Sequence, residues 1–356
     1  MKRILSDTRC VIIASVLTFA AIGARANNEW TEFYNNTRML GMGGVGVAIT
    51  SDDTSLFRNP ANLGSLRDVY GAILNPEIEG TGSLTASSVD LATVMSTMAT
   101  KPDVYYRQKS QITPVIVRRN IGFGLFSRAE VSAEVKSTAP GLMDTVYKND
   151  VGAILGTNLR LFDGRIKIGV SGRAINRIEV VNPTLSVSGT TDLGVIGASG
   201  DAVALDGGLL IQAPWAMIPT LGVVVRDIGD TKFKTASTRL MTASAPATVK
   251  QSIDAAIALF PIHSNLFRSV WTLEYSDVTN SRNDTDNAKR IHFGIEWNSR
   301  DIFFFRLGYN QRYLTAGFEV ASEYITWQLA TYGEEIGTAA APREDRRLNT
   351  TLAVRF

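Results

Sequence analysis

The residues with the most chemical promise lie near the N-terminal end. Gly41-Met42-Gly43-Gly44-Val45-Gly46 satisfies the spacing G-x-G-x-x-G, in which glycines let a backbone approach a pyrophosphate; the paired acids Asp52 and Asp53 come next, then Arg58-Asn59-Pro60-Ala61. A dinucleotide site also needs a buried strand before the glycines, a helix after them and a βαβ unit of about 30 residues around them. Here 35 to 39 is polar and Pro60 breaks the stretch where the helix would run, so no nucleotide cofactor is expected. Catalysis has equally little support. The two histidines are His263 and His292, and neither has a serine or an acid at a spacing that suggests a triad. No group of His, Cys and carboxylates converges as a metal site would require, so no metal and no enzymatic activity are expected. The glycine cluster reads instead as compact, irregular backbone.

Which elements hold such a segment depends on the rest of the chain. At 356 residues it is long enough for two ordinary domains or for one large β architecture. It opens with Lys2 and Arg3, continues through an apolar run from Val11 to about Gly23, and reaches Ala24-Arg25-Ala26, which predicts a secretory signal peptide over 1 to 26. The run of about 13 apolar residues falls short of the roughly 20 that a spanning helix needs. A lipid anchor at Cys10, the single cysteine, is disfavoured by the charged and polar Asp7-Thr8-Arg9 before it. Cleavage after Ala26 would remove Lys2, Arg3, Arg9, Arg25 and Asp7, leaving 32 basic residues of 36 against 33 acidic of 34, a near-neutral mature chain. No strongly basic face suggests nucleic acid as a partner.

Beyond the opening, the chain breaks into runs of about ten residues with period-two alternation. In 347 to 356, Leu348, Thr350, Leu352, Val354 and Phe356 share one face, and Arg347, Asn349, Thr351, Ala353 and Arg355 the other. Ile291, Phe293, Ile295 and Trp297 likewise oppose His292, Gly294 and Glu296. The runs place strands near 69 to 77, 110 to 118, 121 to 134, 147 to 161, 164 to 178, 201 to 213, 219 to 229, 250 to 261, 267 to 278, 288 to 298, 301 to 309, 312 to 321, 322 to 333 and 346 to 356. That is about fourteen, an even number, as single-chain outer-membrane barrels have. Links alternate short and long, with Asn310-Gln311 short where a long one is due. Short periplasmic turns and long outer loops fit a transmembrane antiparallel β-barrel, all-β in class, spanning 67 to 356 in the cell outer membrane with both termini periplasmic. A soluble sandwich or propeller would also alternate. It would not require Trp271, Tyr275, Trp297, Tyr309, Tyr324, Trp327 and Tyr332 along the C-terminal strands, where aromatic girdles would place them.

A second line comes from resemblance. Gly41, Met42, Gly43, Gly44, Gly46 and Ala48, then Asp52 and Asp53, then Asn59, Pro60 and Ala61 resemble the N-terminal region of the FadL-like outer-membrane family, which includes long-chain fatty acid transporters and the related barrel of the type IX secretion shuttle. The match covers about 38 to 63. It implies a fourteen-stranded barrel whose segment 27 to 66 folds into the lumen as a hatch. Gly41, Gly43, Gly44, Gly46, Asp52, Asp53, Asn59, Pro60 and Ala61 are then the candidate gating residues. Physically, glycines let the chain pass close to a wall, and Asp52, Asp53 and Asn59 can cap N–H groups or pair with lumenal arginines.

The polar strand faces carry Arg128, Arg160, Lys167, Arg173, Asp206, Arg226, Asp254, Glu274, His292, Glu296, Arg306 and Glu319, expected to form either a lattice of cross-strand pairs or a polar path. Leu91, Val94, Met95 and Met98 fit one helical face, expected to lie over the barrel mouth. The family implies passive transport of a hydrophobic molecule such as a long-chain fatty acid. The alternative is a barrel like the shuttle, holding a partner protein and passing no ligand. Expected partners are outer-membrane lipid, a hydrophobic ligand and, through the terminal aromatic Phe356, the barrel-assembly machinery.

Overall fold

The computed structural model describes residues 29–30, 32–49, 52–81, 90–98, 104–135, 141–186, 188–235, 239–240 and 244–355. The expected signal peptide over 1–26, Cys10 and Phe356 lie outside the described residues.

Fourteen antiparallel strands close into a barrel. Strand β1 runs as Tyr70–Leu74 and Glu77–Thr81, and β2 as Tyr105–Ile112 and Val115–Arg118. There follow β3 (Ile121–Val135), β4 (Leu142–Leu161), β5 (Ile166–Ser186), β6 (Ala198–Gln212), β7 (Thr220–Arg226) and β8 (Ser252–Leu259, with Ile262–Ser264). The last six are β9 (Phe267–Tyr275), β10 (Ile291–Ser299), β11 (Phe303–Asn310), β12 (Tyr313–Ala321), β13 (Ile325–Glu335) and β14 (Glu344–Arg355). Each pairs with its sequence neighbour, and both halves of β1 pair with β14, which leaves no free edge.

Alternation sets the two faces as the sequence predicts. In β10, Ile291 and Phe293 are each 40% exposed on the outside, while His292 and Glu296 are 5% and 3% exposed on the lumenal side. Exposed apolar side chains such as Phe123, Leu155, Val170, Leu205, Leu273, Phe305 and Leu352 continue this outer belt around the wall, the surface a bilayer would cover. Tyr332 departs from the expected girdle. It is buried in the lumen, with the Arg347 guanidinium 5.9 Å from its ring centre, because its parity along β13 matches Gln328 and Ala330 and not Trp327.

Links of 119–120, 162–165, 213–219, 265–266, 300–302 and 322–324 gather at one rim. At the other rim the connections are longer, except for 311–312, where Gln311 takes φ 60° in a tight turn. The first two strands are longer than their alternation suggests, because each passes a proline. Pro76 and Pro114 donate no ladder bond, so β1 and β2 break side by side. Asn75 replaces the missing ladder: its Nδ2 donates to Thr113 O at 3.0 Å, and the Thr113 N–H donates to Asn75 Oδ1 at 2.7 Å.

Two short helices lie within the lumen, α1 (Thr37–Gly41) and α2 (Ser55–Arg58), followed by a 3-10 turn over Pro60–Ser65. Helix α3 (Leu91–Met98) forms where the apolar spacing predicts, but not over the mouth. Its Leu91, Val94, Met95 and Met98 pack with Tyr106, Val131, Ala133, Val135 and Met143. Val131 and Ala133 share the parity of the exposed Phe123 and Leu125, so the helix covers the outer face of the wall near the long-connection rim. Burying four apolar side chains there gives each about 1.5–3 kcal/mol, which a helix over an open mouth would forgo.

Candidate functional site: the segment inside the barrel

The segment 29–66 descends through the lumen from one rim to the other. Glu29 is held at the long-connection rim by Tyr105 Oη (2.6 Å), Arg347 (2.9 Å) and Arg107 (3.0 Å). Beside it the Trp30 indole N–H donates to Asp284 in the connection before β10, at 3.1 Å. Burial raises the Asp284 carboxyl, but the Asp286 N–H, the Lys289 ammonium and the Trp30 N–H outweigh it and hold Asp284 below the ordinary carboxylate range. At the far end Leu66 O accepts from Arg119 Nε in a short turn, at 3.1 Å. The expectation that this stretch begins at the short-turn mouth is therefore corrected: it arrives there, because Glu29 finds its cations at the opposite rim.

Asn36 caps α1, its Oδ1 accepting the Met39 N–H at 2.9 Å. Gly43 and Gly44 then turn the chain with φ +79° and +86°. A Cβ at Gly43 would fall 2.4 Å from Phe293 O, so the backbone touches the wall itself. The wall answers with glycines of its own. A Cβ at Gly308 would meet Gly43 N at 2.5 Å, one at Gly294 would meet Met42 O at 2.3 Å, and one at Gly169 would meet Pro60 C at 2.3 Å. Gly41 and Gly317 pass with a Cβ built on either only 3.0 Å from the other's Cα. Lumenal glycines on β5, β10, β11 and β12 thus form a track for the inner chain, a role that alternation alone does not reveal.

Charges lock the segment to the track. Arg38 donates to Glu296 from Nε (2.9 Å) and Nη2 (2.8 Å), and its Nη1 reaches Asp52 at 2.7 Å. Glu296 also takes Arg306 Nε at 2.6 Å, and Arg306 pairs with Glu319. Arg58, with a side chain wholly buried, pairs with Glu274 and Glu32. Glu274 also accepts the Gly46 and Val47 N–H groups, at 2.8 and 3.0 Å. His292 Nδ1 donates to Gly43 O at 2.8 Å, which fixes its tautomer because a carbonyl can only accept. Asp52 accepts the Thr54 N–H at 2.9 Å, and Asp53 lies 3.5 Å from Arg355. Asn59 does two jobs: Oδ1 accepts the Ala61 N–H (3.0 Å) and Nδ2 donates to Val47 O (2.9 Å). Pro60 opens the following turn, and Ala61 O accepts from Asn158 at 3.0 Å.

Of the predicted residues, Gly43 and Gly46 bond His292 and Glu274 directly and Asp52 joins Glu296, Arg306 and Glu319 through Arg38, whereas Gly41 and Gly44 lie along the track, Asp53 faces Arg355, and Asn59, Pro60 and Ala61 lie against β4 to β6 at Asn158, Gly169 and Gly208. Arg173 stands apart, bound to Asp206 (2.9 Å) and Asp227 (3.0 Å) with its guanidinium 4.2 Å from the Phe33 ring centre. The sequence singles out Arg58 without giving it a role and passes over Arg38, Glu29 and Glu32, although charged residues flanking a glycine cluster that must sit among charged strand faces are the signal for them. His263 lies at the short-turn rim, 2.9 Å from Ser269 Oγ, with no carboxylate bonded to it among the described residues.

One apolar stretch of the lumen packs Met42, Val45, Val47 and Ala48 of the inner segment against Leu210, Val224, Ala256 and Ala258 of the wall. A second forms a strip that runs toward the long-connection rim. Tyr34, Leu56, Phe57, Leu63 and Leu66 of the inner segment pack against Ala72, Val115, Val117, Phe126, Ile154 and Ile175 of the wall. Tyr34 stacks on Phe57 at 4.6 Å, and Phe33 meets Phe126 edge-on at 5.1 Å. Phe33 and Ile175 also border a cavity of about 390 Å³ under the long-connection rim, whose other lining is mostly charged. Ala72 and Val115 lie beside the break at Pro76 and Pro114.

No protein-family model matches the chain, and no curated protein is matched by its sequence. Solved structures do match. A CymD monoaromatic hydrocarbon channel superposes with TM-score 0.54 at 11% identity, over 90% of this chain and 96% of that one. The Ralstonia pickettii toluene transporter TbuX gives 0.51 at 12%, over 90% and 97%. The Pseudomonas putida toluene transporter TodX gives 0.52 at 10%, over 93% and 99%. At such identities the likeness is one of fold, and it extends over nearly the whole of each chain. By fold, the chain is a closed antiparallel β-barrel of fourteen strands, like the barrels of these hydrocarbon and toluene channels.

Proposed function

We propose that this barrel passes small hydrophobic molecules across the outer membrane without an energy source, with the segment 27 to 66 as its hatch. The observation that carries the reading is the apolar strip. In a lumen that also carries many charges, it leads from Phe33 and Ile175 at the outer cavity to Ala72 and Val115 at the proline break, and the hatch side chains Tyr34, Phe57 and Leu63 fill it. An apolar solute that displaces those side chains keeps apolar contact along the way and leaves beside a stretch of wall where two neighbouring strands lack a ladder donor. The hydrocarbon and toluene channels of the same fold support the substrate class. The short turns face the periplasm in this reading, and Gly41 to Gly46 with Asp52, Asp53 and Asn59 hold the hatch shut. Among hydrophobic solutes, a long-chain fatty acid suits the outer cavity through its carboxylate, which Arg128, Lys148 or Arg177 would meet there.

The test is uptake of labelled toluene and labelled fatty acid into vesicles bearing the full chain. Faster entry of either than into protein-free vesicles is expected, and entry no faster for both would refute transport. A second reading, a barrel that holds a partner protein, draws support from the ion pairs that fill the lumen. Native mass spectrometry separates the two, since a co-purifying lipid or hydrocarbon sinks the second reading, and a stable protein partner with no bound small molecule sinks the first.

A further inference from the structure

Nearly every buried cation of the lumen has a carboxylate: Arg58, Arg107, Lys109, Arg173, Arg177, Arg306 and Arg347 all form ion pairs. Lys167 does not. It is 3% exposed, and among the described residues its ammonium meets the amide oxygen of Gln212 and no acid. Its directly opposed cross-strand neighbour on β4 is a second cation, Arg160, whose buried Nε has no hydrogen-bond partner among the described residues. Like charges facing each other across a ladder destabilise it, and a buried charge without a counter-charge costs more than any surface pair returns.

Both side chains line a vestibule of about 820 Å³ at the short-turn rim, where Arg67 and Arg119 add two more cations. None of these four forms an ion pair among the described residues, whereas of the carboxylates lining the vestibule Asp163 alone has no basic partner. The imbalance is three positive charges on one side of one cavity. Arg67 and Arg119 are solvent-exposed at the entrance, whereas Lys167 is buried and Arg160 half-buried, and neither of these two belongs to the ion pairs that hold the inner segment.

We propose that Lys167 and Arg160 are the centre of an oxyanion site that takes a phosphate group at the short-turn mouth. The charge of phosphate near neutrality, about −1.5 to −2, answers this excess better than a single carboxylate. Lys167 supplies a point charge from below, and Arg160 offers its unoccupied guanidinium donors from the neighbouring strand. Arg67 and Arg119 raise the local anion concentration at the entrance. The site does not depend on whether the barrel transports anything.

Calorimetric titration of inorganic phosphate into the detergent-solubilised full chain tests it, with chloride at equal ionic strength as the reference. Saturable phosphate binding is expected, together with a phosphate-dependent rise in unfolding midpoint that chloride does not reproduce. Lys167→Gln and Arg160→Gln should each weaken binding at least tenfold, while Lys167→Arg retains it. Heat-modifiable gel migration confirms that each variant is an assembled barrel. No binding beyond chloride, or unchanged affinity in the Lys167→Gln/Arg160→Gln double variant, overturns the proposal. Phosphatidylglycerol in mixed micelles then names the source of the phosphate. If it competes with inorganic phosphate the site holds a lipid headgroup, and if it does not while phosphate still binds, the site takes a free anion; either sustains the site.

Discussion

Replacing Arg58 by alanine removes the cation that two elements of the hatch and one strand of the wall share. The side chain is wholly buried, it pairs with Glu274 and Glu32, and its Nη2 donates to Gly44 O at 3.2 Å. Without it Glu274, itself wholly buried, keeps only the Gly46 and Val47 N–H groups among the described residues. Breaking a buried pair by removing one partner costs about 3–5 kcal/mol, because a charge is left uncompensated. At about 1.4 kcal/mol per decade that lowers the equilibrium for hatch docking by two to nearly four decades. Hydrogen exchange at the amides of Gly46 and Val47 reads this directly. Their exchange should accelerate by about 10²- to 10⁴-fold in Arg58→Ala, while the ladder amides of β10 and β11 keep their protection. Conductance in a planar bilayer should rise in parallel. Arg58→Met with Glu274→Gln leaves Glu32 as the single stranded charge, so it should recover part of the loss. Unchanged exchange at Gly46 and Val47 in an assembled Arg58→Ala barrel would refute the claim that this charge holds the hatch.

Gly308→Val places a side chain where Gly43 N now lies within 2.5 Å of a built Cβ, so it should expel the glycine turn and leave a barrel that migrates normally on gels but leaks in bilayers. Asn75→Ala removes the three hydrogen bonds that bridge the proline break, and it should lower the unfolding midpoint through about 1–3 kcal/mol while hastening exchange at Thr113. Phe57→Ala opens the apolar strip by deleting a buried ring, costing about 3–5 kcal/mol of packing; uptake of a labelled hydrophobic solute should rise, and an unchanged rate would place the route elsewhere. Asp284 is held below its ordinary value of 3.8, so its grip on Trp30 is complete above that value and is lost as pH falls through the lower folded-state value; Trp30 fluorescence should shift only below about pH 4, and not at all in Asp284→Asn.

The barrel was legible because membrane strands write their environment at period two. Phe293 and Ile295 against His292 and Glu296 admit one arrangement of faces, and the alternation of short and long links fixes the hairpin order. Where the alternation is interrupted, legibility fails. Pro76 and Thr113-Pro114 hide the outer halves of β1 and β2, because a proline in a run argues against a strand and only a side-chain substitute such as Asn75 rescues it. Tyr332 was misplaced because an aromatic near a strand end suits a girdle or a lumen equally, and parity had to decide. The site was legible as a list but not as a lock: Gly43 announces a left-handed turn, whereas its fit against Gly308 and Gly294 joins residues some 250 positions apart.

The energetics of the lock decide how a solute could pass. Withdrawing the hatch whole would break the pairs of Arg38 with Glu296 and Arg58 with Glu274, each about 3–5 kcal/mol if a partner is left stranded, and would expose the apolar clusters around Met42 and Phe57 as well. That sum exceeds the stability of many domains, so withdrawal is not a step a passive solute can drive. Separating the Tyr34–Phe57 stack costs about 0.5–1.5 kcal/mol beyond area, and an entering apolar solute restores the buried area as it displaces the ring. If solutes pass as proposed, the ion pairs hold the inner segment in place and the movement belongs to the apolar strip between β1 and β5. A disulfide engineered to tie the charged side alone, from α1 to β13, should leave uptake intact. One that clamps α2 to β3 or β4 should abolish it, and equal uptake in both would show that the route does not follow the strip.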